Sequence, residues 1–279
     1  VPPLEATLNR IPTNGIHANV AIAGAGPAVV LLHGFPHTWQ LWNHIIGPLS
    51  THHRVIAPDL RGLGASTRAP DGYDAATLAT DIDGILDVLA EPIASVVAID
   101  AGAPPAFLLA TRRPDRVRRL VLMESLLGPL PGAEDFSPPW WFGFHAVPGL
   151  AETVLHGHEA DYVDWFLTAG TQRRGVPPSI RDAFTDVCTG SEALRCAFSY
   201  YRAMPSSARQ ISDAVSRGRL AVPTLSVGAH PVGRALERQL RPVSDNLTGH
   251  LIPDCGHIIP LDRPQELLNL LTPFLSSTA

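Results

Sequence analysis

Lysine is missing from this chain: all 21 basic residues are arginine. Without an ε-amino group there is no Schiff-base chemistry and no P-loop lysine, which excludes two large enzyme classes. Positive charge is also in short supply. The 26 acidic residues outnumber the arginines and give a formal net charge of −5, so no basic field exists to hold nucleic acid or an anionic membrane. Cysteine is scarce and odd in number. Cys188, Cys196 and Cys255 have neither C-x-x-C nor zinc-ligand spacing, so a disulfide framework or metal site is not expected. No basic segment followed by an apolar one opens the sequence, and no run of 18 apolar residues follows, which predicts a soluble, cytoplasmic protein. What the 279 residues do have is 45% hydrophobic against 17% charged content, enough for a sizeable globular core.

Short apolar runs that stop at small or polar residues recur along the chain: Ala28 to Leu32, Val55 to Ala57, Ser95 to Ile99, Val117 to Met123, Thr224 to Val227 and Leu247 to Ile252. Such runs suit strands buried on both faces. Helical patterns alternate with them, clearest at Leu78, Ile82, Ile85, Leu86 and Leu89 and at Leu267, Leu268, Leu271 and Leu275. The alternation predicts a parallel sheet covered on both sides. The N-terminal stretch Leu8 to Ala23 reads as an antiparallel hairpin turning at Asn14-Gly15. From Leu126 to about Leu220 no buried strand is evident. A loop rich in proline (Pro129, Pro131, Pro138, Pro139) and aromatics (Trp140, Trp141, Phe142, Phe144) leads into helical stretches around Ala160 to Ala169 and Pro178 to Tyr201. The expected organisation is a core over 1–125, a helical cap over 126–220, and the rest of the core over 221–279.

The chemistry is concentrated at Val96 to Ala103, where a buried strand runs into Asp100 with small residues two places before and after it, Ala98 and Gly102. This is the small-x-nucleophile-x-small pattern of a sharp strand-to-helix turn, which has no room for side chains at the flanking positions and holds the central one out over the sheet. A carboxylate is already ionised at neutral pH and needs no base to attack. On an acyl carbon it would give a mixed anhydride that reverts. On saturated carbon it expels a leaving group and leaves a stable alkyl ester, so the expected electrophile is an sp³ carbon. Hydrolysing that ester takes a base-activated water and an oxyanion hole.

With Asp100 as the nucleophile, the chain resembles the α/β-hydrolase fold family, in its epoxide hydrolase and dehalogenase branch. His33-Gly34-Phe35-Pro36 matches the branch's HGxP loop, Ala57 to Gly62 with Gly64 and Ser66 its next loop, and Asp254-Cys255-Gly256-His257 its catalytic-histidine segment. The likeness runs over roughly residues 8 to 275. It implies an α/β-hydrolase fold, with a mostly parallel eight-stranded sheet, helices on both faces and a helical cap, and needs no cofactor or metal. It further implies His257 as the base, the backbone N–H groups of Phe35 and Ala101 as oxyanion donors, and His33, with Gly34 and Pro36, as support for the loop. The triad acid is open. Relatives often carry it after the strand Thr224 to Val227, where this chain has His230, whereas Glu124 stands at the position one group of haloalkane dehalogenases uses. Glu124 is the better candidate, with His230 as loop or pocket lining and Asp254 as a turn former.

Opening an epoxide releases an alkoxide, which needs a positioned donor. Tyr201, in Phe198 to Ala203, falls on the lid tyrosine of epoxide hydrolases. At the other lid tyrosine stands Trp141, whose indole N–H donates but cannot protonate; Trp140 is an equally available donor. Haloalkane dehalogenases carry Trp directly after the nucleophile, and haloacetate dehalogenases carry Arg one and four places after it; here these positions are Ala101 and Pro104. The resemblance therefore points to an epoxide hydrolase acting on a small molecule, with Trp140, Phe142 and the other lid aromatics suiting a bulky apolar or aromatic epoxide. A hydrolytic dehalogenase and a non-catalytic receptor on the same fold are the competing readings. All-arginine basicity suits a high-GC genome, in which such enzymes resemble tailoring hydrolases of aromatic polyketide pathways.

Overall fold

A computed structural model describes residues 6–128 and 130–277; Pro129 of the proline-rich stretch and the first five residues lie outside it. The elements in chain order are β1 (Thr7–Thr13), β2 (Ile16–Ala23), β3 (Ala28–Leu32), α1 (Asn43–Ser50), β4 (Arg54–Pro58), α2 (Ala75–Val88), β5 (Ala94–Ile99), α3 (Ala103–Arg112) and β6 (Val117–Met123). Five helices follow: α4 (Trp140–Ala146), α5 (Leu150–Leu155), α6 (Glu159–Gly170), α7 (Pro178–Cys188) and α8 (Ser191–Arg217). The chain closes with β7 (Thr224–Gly228), α9 (Ala235–Leu240), β8 (Leu247–Leu251), α10 (Ile259–Asp262) and α11 (Pro264–Ser276).

The eight strands form one sheet in the order β1-β2-β4-β3-β5-β6-β7-β8. From β4 onward every pairing is parallel, and β1, β2 and β4 are antiparallel neighbours. The hairpin turns at Asn14 and Gly15, both at positive φ, the backbone of a type I′ turn, which is why Asn-Gly stands there. β3, β5 and β7 are buried along their whole length, as continuous apolar runs covered by helices on both faces must be. β8 departs from expectation: it pairs only with β7 and is largely exposed, Leu251 at 44%, because it is the edge of the sheet.

Among the described residues, the segment between β6 and β7 holds helices and no strand. Two details differ from the sequence reading. The aromatic residues from Trp140 onward form helix α4 rather than a loop, and the second helical stretch breaks at Gly190, then continues past Tyr201 and through Pro205 to Arg217. α8 is long because it docks on α2: Ser207 Oγ accepts from Ala75 N–H at 3.0 Å and Gln210 Oε1 from Ala76 N–H at 2.9 Å, capping the start of that helix. No helix of the described residues is long and apolar enough to cross a membrane.

Candidate active site

β5 carries Asp100 to the C-terminal edge of the sheet, at a φ of 52°. A non-glycine residue in this left-handed region costs of order 1–3 kcal/mol and persists only where packing over-determines it. Here it does. A Cβ at Gly34 would fall 2.1 Å from Asp100 Oδ1, and one at Gly102 would fall 2.6 Å from the His33 carbonyl oxygen, so both positions have to be glycine. Ser125 Oγ donates to the Asp100 carbonyl at 2.8 Å and ties the turn to the end of β6.

The two carboxylate oxygens of Asp100 face different groups. Phe35 N–H donates to Oδ1 at 2.8 Å, and His257 Nε2 lies 3.3 Å from Oδ2. The other face of His257 meets Glu124, with Nδ1 3.2 Å from Oε2. Glu124 directly follows β6 at a φ of 40°, is 1% exposed, and accepts from Ala229 N–H at 2.6 Å on Oε1. Asp100, His257 and Glu124 are thus joined through one imidazole, although 157 residues of sequence separate the first from the second and 133 the second from the third. His230, where the acid was sought, is exposed; only its backbone N–H bonds toward the histidine loop, at Cys255 O.

The electrostatics follow from this geometry. Burial pushes the Asp100 carboxyl up, but the hydrogen bond and charge of His257 and the N–H groups of Ala101 and Phe35 outweigh it and leave the pKa below the ordinary value. Burial alone would push His257 down; hydrogen bonds to Asp100 and Glu124, and then their charges, raise it to about 10. The pair rests as carboxylate and imidazolium at neutral pH.

The supporting loops are held by groups of two kinds. His33 is fully buried: its Nδ1 donates to Gly34 O at 2.9 Å and its Nε2 accepts from Leu60 N–H at 3.1 Å, linking the two loops above β3 and β4. Asp262 and Arg174 are supports the sequence reading missed. Asp262 accepts from Gly256 N–H at 2.6 Å and pairs with Arg174, which also donates to Asp254 O, fixing the turn that presents His257. No local pattern marks either residue, since Arg174 reaches this turn from the connection between α6 and α7.

Above Asp100 lies a cavity of about 720 Å³. Phe35, Pro36, Ala101, Trp141, Phe142, Tyr201 and His230 line it. Trp140 does not: it is 60% exposed, packing on Trp165 and Phe144 on the outer side of α4, because neighbouring residues on a helix point in directions about 100° apart. Phe144 and Phe198 also stay off the cavity wall, and Phe198 is wholly buried. Tyr201 is wedged between Phe35 and Phe142, ring centroids 5.5 and 5.3 Å away. Burial, then the Asp100 charge, raise its phenol well above the usual value. Neither its hydroxyl nor the Trp141 indole N–H bonds to another described residue, so both donors are free to meet a ligand.

Residues 27–264 match the model of the alpha/beta hydrolase fold family. A soluble epoxide hydrolase of Corynebacterium sp. (strain C12) is 26% identical, the alignment covering 98% of each protein. Among solved structures, Cfl2 of Burkholderia cenocepacia is 31% identical and aligns with a TM-score of 0.86 over 96% of this chain and 95% of its own. The epoxide hydrolase CorEH without ligand aligns with a TM-score of 0.89 at 26% identity, over 98% of this chain and 99% of its own.

Proposed function

This chain belongs to the α/β-hydrolase fold family, and from that premise we propose that it is an epoxide hydrolase working through a covalent ester on Asp100. The observation that carries the reading is a carboxylate, not a hydroxyl, on the strained turn, 3.3 Å from an imidazole that a buried glutamate holds on its far side. The curated relative named as an epoxide hydrolase along its whole length supports the substrate class.

Phe35 N–H already occupies Oδ1, so Oδ2 attacks a ring carbon. The C–O bond breaks, and the departing alkoxide takes a proton from the Tyr201 hydroxyl while the Trp141 indole N–H bonds to it. Burial raises the Tyr201 phenol, and the alkoxide formed in the same apolar cavity is raised with it, so the intrinsic difference between an alkanol and a phenol still favours the transfer. Oδ1 becomes the ester carbonyl oxygen and sits where the N–H groups of Phe35 and Ala101 can stabilise an oxyanion. Esterification also removes the negative charge beside Nε2. His257 then loses one of the two partners that held it protonated, passes its proton to the Tyr201 phenolate, and becomes the base that activates water. Glu124 orients it. Water adds to the ester carbon, the tetrahedral intermediate collapses, and the leaving diol oxygen takes one proton of that water. The other returns to His257, restoring the starting pair.

Among the described residues lining the cavity none is Arg, so no guanidinium is there to clamp the carboxylate of a halo-acid, and the apolar wall suits a bulky uncharged epoxide. We place the enzyme in the cytoplasm, on its three free, buried cysteines. The deciding test is a single turnover in water enriched in heavy oxygen. The first diol should be unlabelled and the label should enter Asp100; label in that diol would end the two-step mechanism. Failure to form a diol from any aromatic epoxide would end the substrate assignment.

A further inference from the structure

Helix α4 buries a single side chain, and it is an imidazole. His145 is wholly enclosed, with the rings of Phe35, Phe166, Phe198 and Tyr201 around it. Its Nε2 is hydrogen-bonded to Tyr162 Oη at 2.7 Å, and its Nδ1 has no partner among the described residues. Burial, and then the Arg202 charge, push its pKa down to about 3, so the ring is neutral at the pH where the enzyme would work. A phenyl group would fill this apolar place without leaving a buried nitrogen unsatisfied. The imidazole therefore costs stability, and packing alone does not account for it.

What it touches is the proton donor of the proposed reaction. The Tyr201 hydroxyl has no hydrogen-bond partner among the described residues, so packing alone aims it. Three rings meet it edge to face: Phe35 at 5.5 Å, Phe142 at 5.3 Å and His145, the nearest, at 4.4 Å. Phe35 and Phe142 line the cavity, whereas His145 lies off it and backs the phenol from within the protein. The imidazole is itself held twice. It stacks on Phe198, with centroids 4.1 Å apart and planes within 21°, and it is tethered to Tyr162 of α6. That tether fixes how the ring is turned, and hence the surface it offers to Tyr201.

We infer that His145 is a positioning residue for ring opening: tethered by Tyr162, it keeps the Tyr201 phenol aimed at the epoxide oxygen. The inference rests on the epoxide hydrolase reading, and its test separates the two. Proton transfer needs the donor within hydrogen-bond reach, and a misplacement of ~1 Å costs on the order of 100-fold. Ester formation on Asp100 is followed in single turnovers with styrene oxide. The proteins compared are the parent, His145→Leu, Tyr162→Phe, Tyr201→Phe, and the two double variants that add Tyr201→Phe to each of the others. His145→Leu should slow ester formation by about 30- to 100-fold. Tyr162→Phe removes one oxygen and keeps every ring; it should cost about five- to tenfold, and it decides the matter should His145→Leu fail to fold. Added to Tyr201→Phe, neither should cost more than about twofold, because no hydroxyl is left to aim. A general loosening of the fold, or a fault passed through Phe35 to its oxyanion N–H, would persist in the double variants, so losses that multiply there overturn the inference. So does either single variant that keeps ester formation within about twofold of the parent. A parent that forms no ester with styrene oxide or any other aromatic epoxide overturns the hydrolase reading instead.

Discussion

Glu124→Gln isolates the weakest link of the proposed mechanism, the acid that had no settled place in the sequence. Three N–H donors converge on this buried carboxylate: Ala229 at 2.6 Å on Oε1, and Val232 at 3.4 Å and His257 Nδ1 at 3.2 Å on Oε2. A carboxylate accepts on both oxygens, whereas an amide has one oxygen and one NH₂. In either orientation the glutamine sets an N–H against an N–H, toward Ala229 or toward His257. The unsatisfied pair should cost about 1–3 kcal/mol of folding stability. The larger effect is on rate. Loss of the charge and of the acceptor that selects the His257 tautomer should slow ester hydrolysis on the order of 10⁴-fold, as in other hydrolase triads. Ring opening uses Asp100 and Tyr201 and should persist. Mixed rapidly with an epoxide and read by intact-protein mass spectrometry, the variant should accumulate one adduct whose added mass equals the whole epoxide. A steady-state loss below tenfold, or an alkylation rate that falls as far as turnover, would refute the role given to Glu124.

Tyr201→Phe should slow ester formation by about 10²–10³, the scale of one charge-stabilising donor, and Trp141→Phe by only about tenfold, since it removes a hydrogen bond to a charged atom but no proton source. Single-turnover alkylation rates measure both, and equal losses would mean that the indole and the phenol do the same work. Gly34→Ala puts a methyl group where the Asp100 carboxylate lies and should abolish adduct formation with a lowered melting temperature; an active variant would show that the turn is not tightly packed. His257 should titrate near pH 10 by NMR in the free enzyme and well below that in Asp100→Asn. A group raised from 6.5 to about 10 stabilises the fold fully below pH 6.5 and progressively less up to pH 10. The melting temperature should therefore fall over that window, and less steeply in Asp100→Asn. Identical slopes would place the charge pairing elsewhere.

Much of the fold was legible because its signals are local. Continuous apolar runs mark strands covered on both faces, Asn14-Gly15 marks the hairpin, and Ala98-x-Asp100-x-Gly102 marks a turn that only small flanking residues permit. β8 misled for the same reason, since an edge strand can carry an apolar run without being covered. The helical segment between β6 and β7 was less legible: one-residue shifts around a helix decide whether Trp140 or Trp141 faces the cavity, and no composition encodes that rotation.

By itself the sequence determined the chemical character of the turn after β5: a carboxylate with alanine two places before it and glycine two places after, followed far along the chain by a histidine in a Gly-His turn. Tertiary structure decided the partners. Glu124 stands beside His257 because β6 is the parallel neighbour of β5 and the residue directly after β6, at positive φ, turns its carboxylate under the imidazole. Arg174 and Asp262 hold that imidazole's loop from two separate helical regions. Such contacts arise from strand order and helix rotation, which sum over the whole chain, and for that reason no short stretch of residues announces them.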